Sequence, residues 1–201
     1  MGKTWNNKVL IEALGGGSGG ALLARQAIFF VIGVALLAIA AKIRVPMWPV
    51  PITMSTFAVL MIGAAYGPRL GLVTMMGYLV VGALGFDVFA GTTAEKNGLN
   101  YMLGGTGGYL VGWLLATLAL GAFARRGWDR SFVWIAVAML VGNALIYVPG
   151  LLWLNTMSYA QGWDWTLSNG LTPFLVGDAI KLALAAVLLP LAWKAVGDAR
   201  R

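Results

Sequence analysis

The sequence contains no cysteine and no histidine, and only 10% of its 201 residues are charged. Without cysteine the chain forms no disulfide and has no thiolate. Without histidine it lacks the commonest metal ligand and the usual proton relay. Neither a serine–histidine pair nor a thiol nucleophile is available, so the composition argues against an enzyme. We expect no metal site and no cofactor.

Hydrophobic residues make up 60% of the chain, and the mean hydropathy is +0.82. A soluble domain carries about 25% charged residues, so this chain cannot hide its apolar surface from water by folding alone. We therefore predict an all-α, polytopic protein embedded in a lipid bilayer. The net charge of +7 is not arranged as a basic stripe, and no nucleic-acid partner is expected.

Long apolar runs predict six transmembrane helices. They cover residues 21–42, 53–66, 70–86, 104–124, 131–154 and 173–194. The second and third runs are short and share the turn YGPRLG, where Gly67, Pro68 and Gly71 interrupt the helix. Six helices place both termini on one side of the membrane.

The distribution of lysine and arginine predicts which side that is. Ten of these residues lie at the termini or after the second and fourth helices, and three lie in the opposite loops. Lysine and arginine accumulate in short cytoplasmic loops. We predict a multi-pass protein of the cytoplasmic membrane with both termini inside. It consists of a polar segment 1–20, a membrane domain 21–196 and a short tail 197–201.

Asp178 and Lys181 lie three residues apart inside the apolar run FLVGDAIKLALAAVLLPLAW. That spacing puts both side chains on one helix face. Ionisable residues in membrane helices are rare and usually face a cavity or a partner. Two interpretations stay open: the pair binds a ligand, or the two charges neutralise each other and fix the helix in the bundle.

Other polar residues are predicted at a similar depth. Asn143 and Tyr147 occur in GNALIYVPG of the fifth helix, and Thr106 and Tyr109 occur in GGTGGYLVGW of the fourth. Taken alone, an asparagine such as Asn143 more often bonds two helices together than a ligand. Because three helices contribute polar groups to one depth band, we predict a pocket that opens to the outside.

The first external connection, IRVPMWPVPITMST, contains Pro46, Pro49 and Pro51. Three prolines prevent a helix and favour a stiff extended segment. Irregular backbone at membrane depth lies against protein or a wet cavity, so this segment is predicted to form a wall of the pocket. Trp48 borders it, either as an interfacial belt residue or as a ligand contact.

Small residues recur every four positions at the start of the fourth helix, at Gly104, Gly108, Gly112 and Ala116. Such a face lets another helix approach closely. We predict that it packs inside the chain, with an interface to another protein as the alternative.

Four segments in this order resemble the BioY family, the biotin-specific substrate-binding subunits (S components) of energy-coupling factor (ECF) transporters. They are VPMWPVPITMSTFAVLMIGAAYGPRLG, GGTGGYLVG, GNALIYVPG and PFLVGDAIKLALAA. The similarity covers about residues 25–193. It implies a six-helix S-component bundle that captures biotin from outside for uptake. A transmembrane coupling subunit and ATPase subunits are the implied partners.

The resemblance also implies that Asp178, Lys181 and Asn143 bind the ligand. Their chemistry suits biotin, since a carboxylate accepts from urea N–H groups, an amide serves either edge, and an ammonium suits the carboxylate or the urea oxygen. Trp48, Tyr109 and Tyr147 are candidates to flank its rings.

Several features leave questions open. The family usually carries glutamine where this chain has Ser55. Arg44 and Lys96 are alternative partners for the valerate carboxylate of biotin. The first helix has alanines three residues apart, at Ala35, Ala38 and Ala41, where the family uses A-x-x-x-A to contact its coupling subunit.

Three alternatives to this function and assembly remain. The chain could be a proton-coupled secondary transporter with Asp178 as the titrating group. It could bind a different vitamin, since relatives of this fold bind thiamine or riboflavin. It could also work without the ATPase module, as a homo-oligomer.

Overall fold

The computed structural model describes residues 8–15, 18–92 and 97–198. In chain order the helices are Leu10–Ala13 (α1), Gly20–Lys42 (α2), Ser55–Ala83 (α3), Gly98–Met102 (α4), Gly107–Arg125 (α5), Phe132–Leu154 (α6), Trp163–Gly170 (α7) and Leu175–Asp198 (α8). Single 3-10 turns occupy Trp128–Arg130 and Thr172–Phe174. Strands Arg44–Val45 (β1) and Ile52–Thr53 (β2) form a small antiparallel ribbon. The prediction of an all-α fold is confirmed. The short ribbon was not predicted.

The element α3 consists of two helical limbs, 55–66 and 68–83. Gly67, between them, has φ 78° and ψ 176°, a backbone conformation that favours glycine. A Cβ built on Gly71 would lie 3.6 Å from the Cα of Gly63. In a continuous helix, residues eight apart are separated by about 12 Å. The limbs therefore fold back on each other, as the predicted short runs 53–66 and 70–86 require.

Five helical stretches in the described residues are long and apolar enough to cross a membrane. One of these stretches, α3, folds back into two helical limbs, so the five stretches correspond to the six predicted transmembrane helices. The bundle is built by contacts of α3 with α5, of α5 with α6, of α2 with α3 and of α6 with α8. The chain is a membrane protein.

Close packing of α5 against α6 depends on glycine. A Cβ on Gly112 would lie 2.6 Å from the Cα of Ile146, and a Cβ on Gly108 would collide with the carbonyl oxygen of Pro149. The prediction that this small-residue face packs inside the chain is confirmed for these two glycines.

The two ends of the bundle differ in charge. At one end, which we call the terminal end, α2 and α6 begin, α3 folds back, and α5 and α8 end. Seven of the ten described lysines and arginines lie there: Lys8, Arg25, Arg69, Arg125, Arg126, Arg130 and Lys194. Lys42 and Arg44 lie at the opposite end, the loop end. Lys3, Lys96, Arg200 and Arg201, which also entered the predicted orientation, lie outside the described residues.

The predicted segment 1–20 is described in part, and residues 1–7 and 16–17 lie outside the described ranges. Its helix α1 packs against α3, and Val9 and Ile11 are buried. Most of the predicted tail 197–201 also lies outside the described residues.

A buried acid, Asp129, lies in the turn between α5 and α6 at the terminal end. Its side chain is 0% exposed, and Trp193 Nε1 donates a hydrogen bond to its Oδ2 at 2.5 Å. The guanidinium of Arg130 lies 4.1 Å from the centre of the Trp193 ring. Burial raises the pKa of Asp129 to about 6, although the Trp193 hydrogen bond and the Arg130 charge act to lower it.

Replacing Asp129 by asparagine is expected to stabilise the protein at neutral pH. The folded-state pKa of about 6 lies above the ordinary value of 3.8, so the folded chain binds the proton more tightly than the unfolded chain. The ionised carboxylate therefore lowers the free energy of unfolding by about 3 kcal/mol above pH 6, and this penalty disappears as the pH falls to 4. Thermal unfolding in detergent at pH 5 and 7.5 measures the effect. An identical pH dependence of wild type and Asp129→Asn would contradict it.

Candidate ligand-binding site

A cavity lies at the loop end, between α3, α5, α6, α8 and the chain that carries β2. It encloses about 580 Å³ of space, including its mouth. Its polar lining consists of Thr53, Ser55, Thr56, Tyr101, Thr106, Tyr109, Trp113, Tyr147 and Lys181. Its apolar lining consists of Val50, Pro51, Phe89, Ala90, Leu110, Ile146 and Phe174.

Lys181 belongs to a hydrogen-bonded array that joins three helices. Its Nζ lies 3.0 Å from Asp178 Oδ1 and donates to Thr56 Oγ1 at 2.9 Å. The hydroxyl of Tyr147 donates to the other carboxylate oxygen of Asp178. Asp178 and Lys181 are only 5% and 7% exposed, so each charge is compensated by neighbouring groups rather than by water.

The two charges are thus paired with each other, which is one of the interpretations that the sequence left open. Lys181 also lines the cavity, whereas Asp178 lies behind Lys181 and Tyr147 and is not part of the lining. An ammonium has three N–H groups, and Asp178 and Thr56 take two of them. A ligand contact by the Lys181 ammonium is compatible with the ion pair.

Tyr109 and Tyr147 form an aromatic wall. Their ring centres are 6.2 Å apart in an edge-to-face arrangement, and Tyr147 packs in the same manner on Phe174 at 6.4 Å. The hydroxyl of Tyr109 donates to the carbonyl oxygen of Gly170 at 2.8 Å. Because both hydroxyls already donate to protein acceptors, these two residues offer a ligand mainly the surfaces of their rings.

Two polar atoms of the cavity wall lack a hydrogen-bond partner in the described part of the chain. They are Ser55 Oγ and Trp113 Nε1, both buried. The Ser55 N–H donates to Thr53 Oγ1 at 3.1 Å, which fixes the start of α3 against β2. An unpaired buried polar group costs about 1–3 kcal/mol. Both residues line the cavity, so a ligand that reached these atoms with a matching donor and acceptor would satisfy them.

A family model supplies the relationship to known proteins. The model of the BioY family matches residues 9–198. The chain belongs to the BioY family. The biotin transporter BioY of Thermotoga maritima is 34% identical over 82% of this chain and 93% of its own length. The probable biotin transporter BioY of Pyrococcus horikoshii is also 34% identical, over 82% of this chain and 94% of its own.

A solved structure shares the fold. It is described as the S-component for biotin from an ECF-type ABC transporter, and it matches this BioY-family chain with a TM-score of 0.75 and 24% sequence identity. The match covers 89% of this chain and 95% of the other. The predicted S-component-like bundle is confirmed.

Not every residue predicted for the site of this BioY protein lines the cavity. Ser55, Thr106, Tyr109, Tyr147 and Lys181 do. Asn143 does not, although its Oδ1 is buried and has no partner among the described residues.

Trp48 lies outside the cavity and is 61% exposed. It packs on Tyr159 at 5.0 Å and on Trp165 at 5.8 Å between ring centres. With Arg44 it lines an outer groove, which shares Tyr101 and Thr106 with the cavity. The groove therefore adjoins the cavity. Lys96, the other rim candidate, lies outside the described residues.

Other lining residues were not predicted. Trp113 follows Tyr109 by four residues, and this helical spacing would have placed both on one face. Thr56 directly follows the predicted Ser55. Phe89 and Tyr101 stack at 5.0 Å in the connection between α3 and α5, where no sequence period marks them. Burial raises the pKa of Tyr101, although its hydrogen bond with Thr106 and the charge of Arg44 lower it.

Proposed function

We propose that this protein captures biotin from the external side of the cytoplasmic membrane, as the substrate-binding subunit of an ECF-type transporter. The observation that carries the proposal is the cavity at the loop end. Its aromatic walls are combined with a buried ammonium and with two polar side chains, Ser55 and Trp113, that have no hydrogen-bond partner in the described part of the chain. Family membership supports the proposal, and the named relatives are biotin transporters or probable ones.

The polar groups of the cavity match the chemistry of biotin. Lys181 donates to the urea oxygen or to the valerate carboxylate, and Trp113 Nε1 provides a second donor. Ser55 can donate or accept. The apolar thioether ring packs on the aromatic wall. Asp178 holds Lys181 and Tyr147 in place. The role of Asp178 and Asn143 as acceptors for urea N–H groups stays a prediction, because neither residue lines the cavity.

The charge distribution supports an orientation with the terminal end in the cytoplasm, because lysine and arginine accumulate in short cytoplasmic loops. Both termini are then inside, and the cavity opens at the external face. Most side chains of helix α2 are exposed or only partly buried. This surface suits contact with a transmembrane coupling subunit, which connects the chain to two ATPases.

Binding and uptake measurements test the proposal. Purified full-length protein in detergent is titrated with labelled biotin, and unlabelled biotin, thiamine and riboflavin compete; only biotin is expected to displace the label. Displacement by another vitamin instead would assign the cavity to that vitamin.

In cells, uptake that stops on ATP depletion supports the ECF mechanism. Uptake that stops only with a protonophore would favour a proton-coupled carrier with Asp178 as the titrating group. Crosslinking in membranes distinguishes assembly with the ATPase module from a homo-oligomer.

Replacing Ser55 by alanine is expected to weaken biotin binding about tenfold without destabilising the empty protein. Among the described residues the hydroxyl has no hydrogen-bond partner, so its removal relieves a desolvation penalty in the protein without biotin and removes one hydrogen bond from the complex. Binding isotherms and thermal unfolding without biotin measure both effects. Ser168→Ala, on the exposed face of α7, is the matched control. Equal affinities of Ser55→Ala and wild type would contradict the contact.

A further inference from the structure

A second cavity lies at the terminal end, between α1, the beginning of α2, the fold-back of α3 and the end of α5. It encloses about 960 Å³, including its mouth. Its charged lining residues are Lys8, Arg25, Arg69, Arg125 and Glu12. It is far from the ligand cavity along the bundle, and the proposed uptake of biotin does not use it.

The lining of this cavity is strongly cationic. Four positive residues and one acid give an excess of three positive charges. Glu12 is neutralised by Arg125, whose Nη2 and Nη1 lie 2.7 and 3.3 Å from its two carboxylate oxygens. Arg25 is held in place by donating to the carbonyl oxygen of Gly15. The excess charge is thus contributed by Lys8, Arg25 and Arg69.

The same cavity also has apolar walls, made by Leu22, Phe29 and Leu70. Guanidinium groups pair with phosphate oxygens through two parallel hydrogen bonds. Basic pockets between membrane helices at the bilayer surface bind anionic headgroups. We propose that the cavity binds a phosphate group, carried by an anionic phospholipid or free in solution. Arg25 and Arg69 contact the phosphate, and the apolar wall contacts the part of the lipid next to it.

Native mass spectrometry of the delipidated full-length protein tests this site. Phosphatidylglycerol and phosphatidylcholine are titrated separately, and wild type is expected to bind phosphatidylglycerol more tightly. The double variant R25Q/R69Q should weaken phosphatidylglycerol binding roughly thirtyfold. The matched control R126Q/K194Q removes the same charge from exposed positions of the terminal end outside the cavity. It should leave the affinity close to that of wild type.

Inorganic phosphate distinguishes the two sources. If it displaces phosphatidylglycerol, the site recognises phosphate alone; if it does not, the site requires the lipid, and both results support the proposal. Equal binding of phosphatidylglycerol to wild type and R25Q/R69Q would overturn it, as would equal losses in the two double variants. Retained biotin binding establishes that the variants are folded. If R25Q/R69Q does not fold, the exposed single variant R69Q replaces it, with an expected loss of roughly fivefold.

Discussion

Replacing Lys181 by methionine is expected to lower the affinity for biotin by at least about a hundredfold. Among the described residues that line the cavity, Lys181 is the one cation. A hydrogen bond from a charged donor is worth about 1.5–3 kcal/mol. The substitution also leaves the buried carboxylate of Asp178 without its counterion, which disturbs the wall that Tyr147 completes. Together these losses amount to about 3 kcal/mol or more. Titration of the purified variants with labelled biotin measures them.

The matched control for this variant is Lys194→Met. Lys194 lies on the same helix α8, is exposed and is at the terminal end, so its replacement changes the net charge equally and should leave the affinity unchanged. If Lys181→Met binds biotin as wild type does, the ammonium serves only as the counterion of Asp178. The ligand would then have to be held by the neutral groups of the cavity.

Most of the fold could be predicted from the sequence, because bilayer thickness fixes the length of an apolar run. The fold-back of α3 was predictable from Gly67 and Pro68, since a positive φ and a missing N–H both interrupt a helix. The ribbon of β1 and β2 was not predicted. Its strands have two residues each, which is too short for a periodic signal, and the prolines indicated only an extended segment.

The sequence predicted that the polar residues of the site lie at a similar depth in the bundle, but it did not predict which of them contact each other. Spacing along a helix gives the face on which a residue lies, but not the neighbour it meets. Asn143 and Tyr147 are four residues apart on α6, yet Tyr147 alone lines the cavity, and it bonds to Asp178. The spacing of Asp178 and Lys181 suited a mutual ion pair and a ligand contact equally. The packing of α8 against α3, through Thr56, puts Lys181 in the cavity wall.

Replacing Asp178 by leucine is expected to lower the free energy of unfolding by about 3–5 kcal/mol, because it leaves the charge of Lys181 buried without a partner. The hydroxyl of Tyr147 loses its acceptor in the same variant. The double variant Asp178→Leu/Lys181→Met should recover most of this stability, since replacing a whole buried ion pair by apolar residues is often close to neutral. Thermal unfolding in detergent, without biotin, measures both variants.

Biotin binding by the double variant separates the two interpretations of the pair. If the charges serve only to fix α8 in the bundle, a stable double variant binds biotin as wild type does. If Lys181 contacts the ligand, the double variant is folded but its affinity remains at least about a hundredfold lower, because its cavity contains no ammonium. Asp178→Asn keeps a polar partner for Lys181 and Tyr147, and its affinity should fall more than tenfold. We expect the double variant to be stable and unable to bind biotin tightly, since Lys181 lines the cavity while it is paired with Asp178.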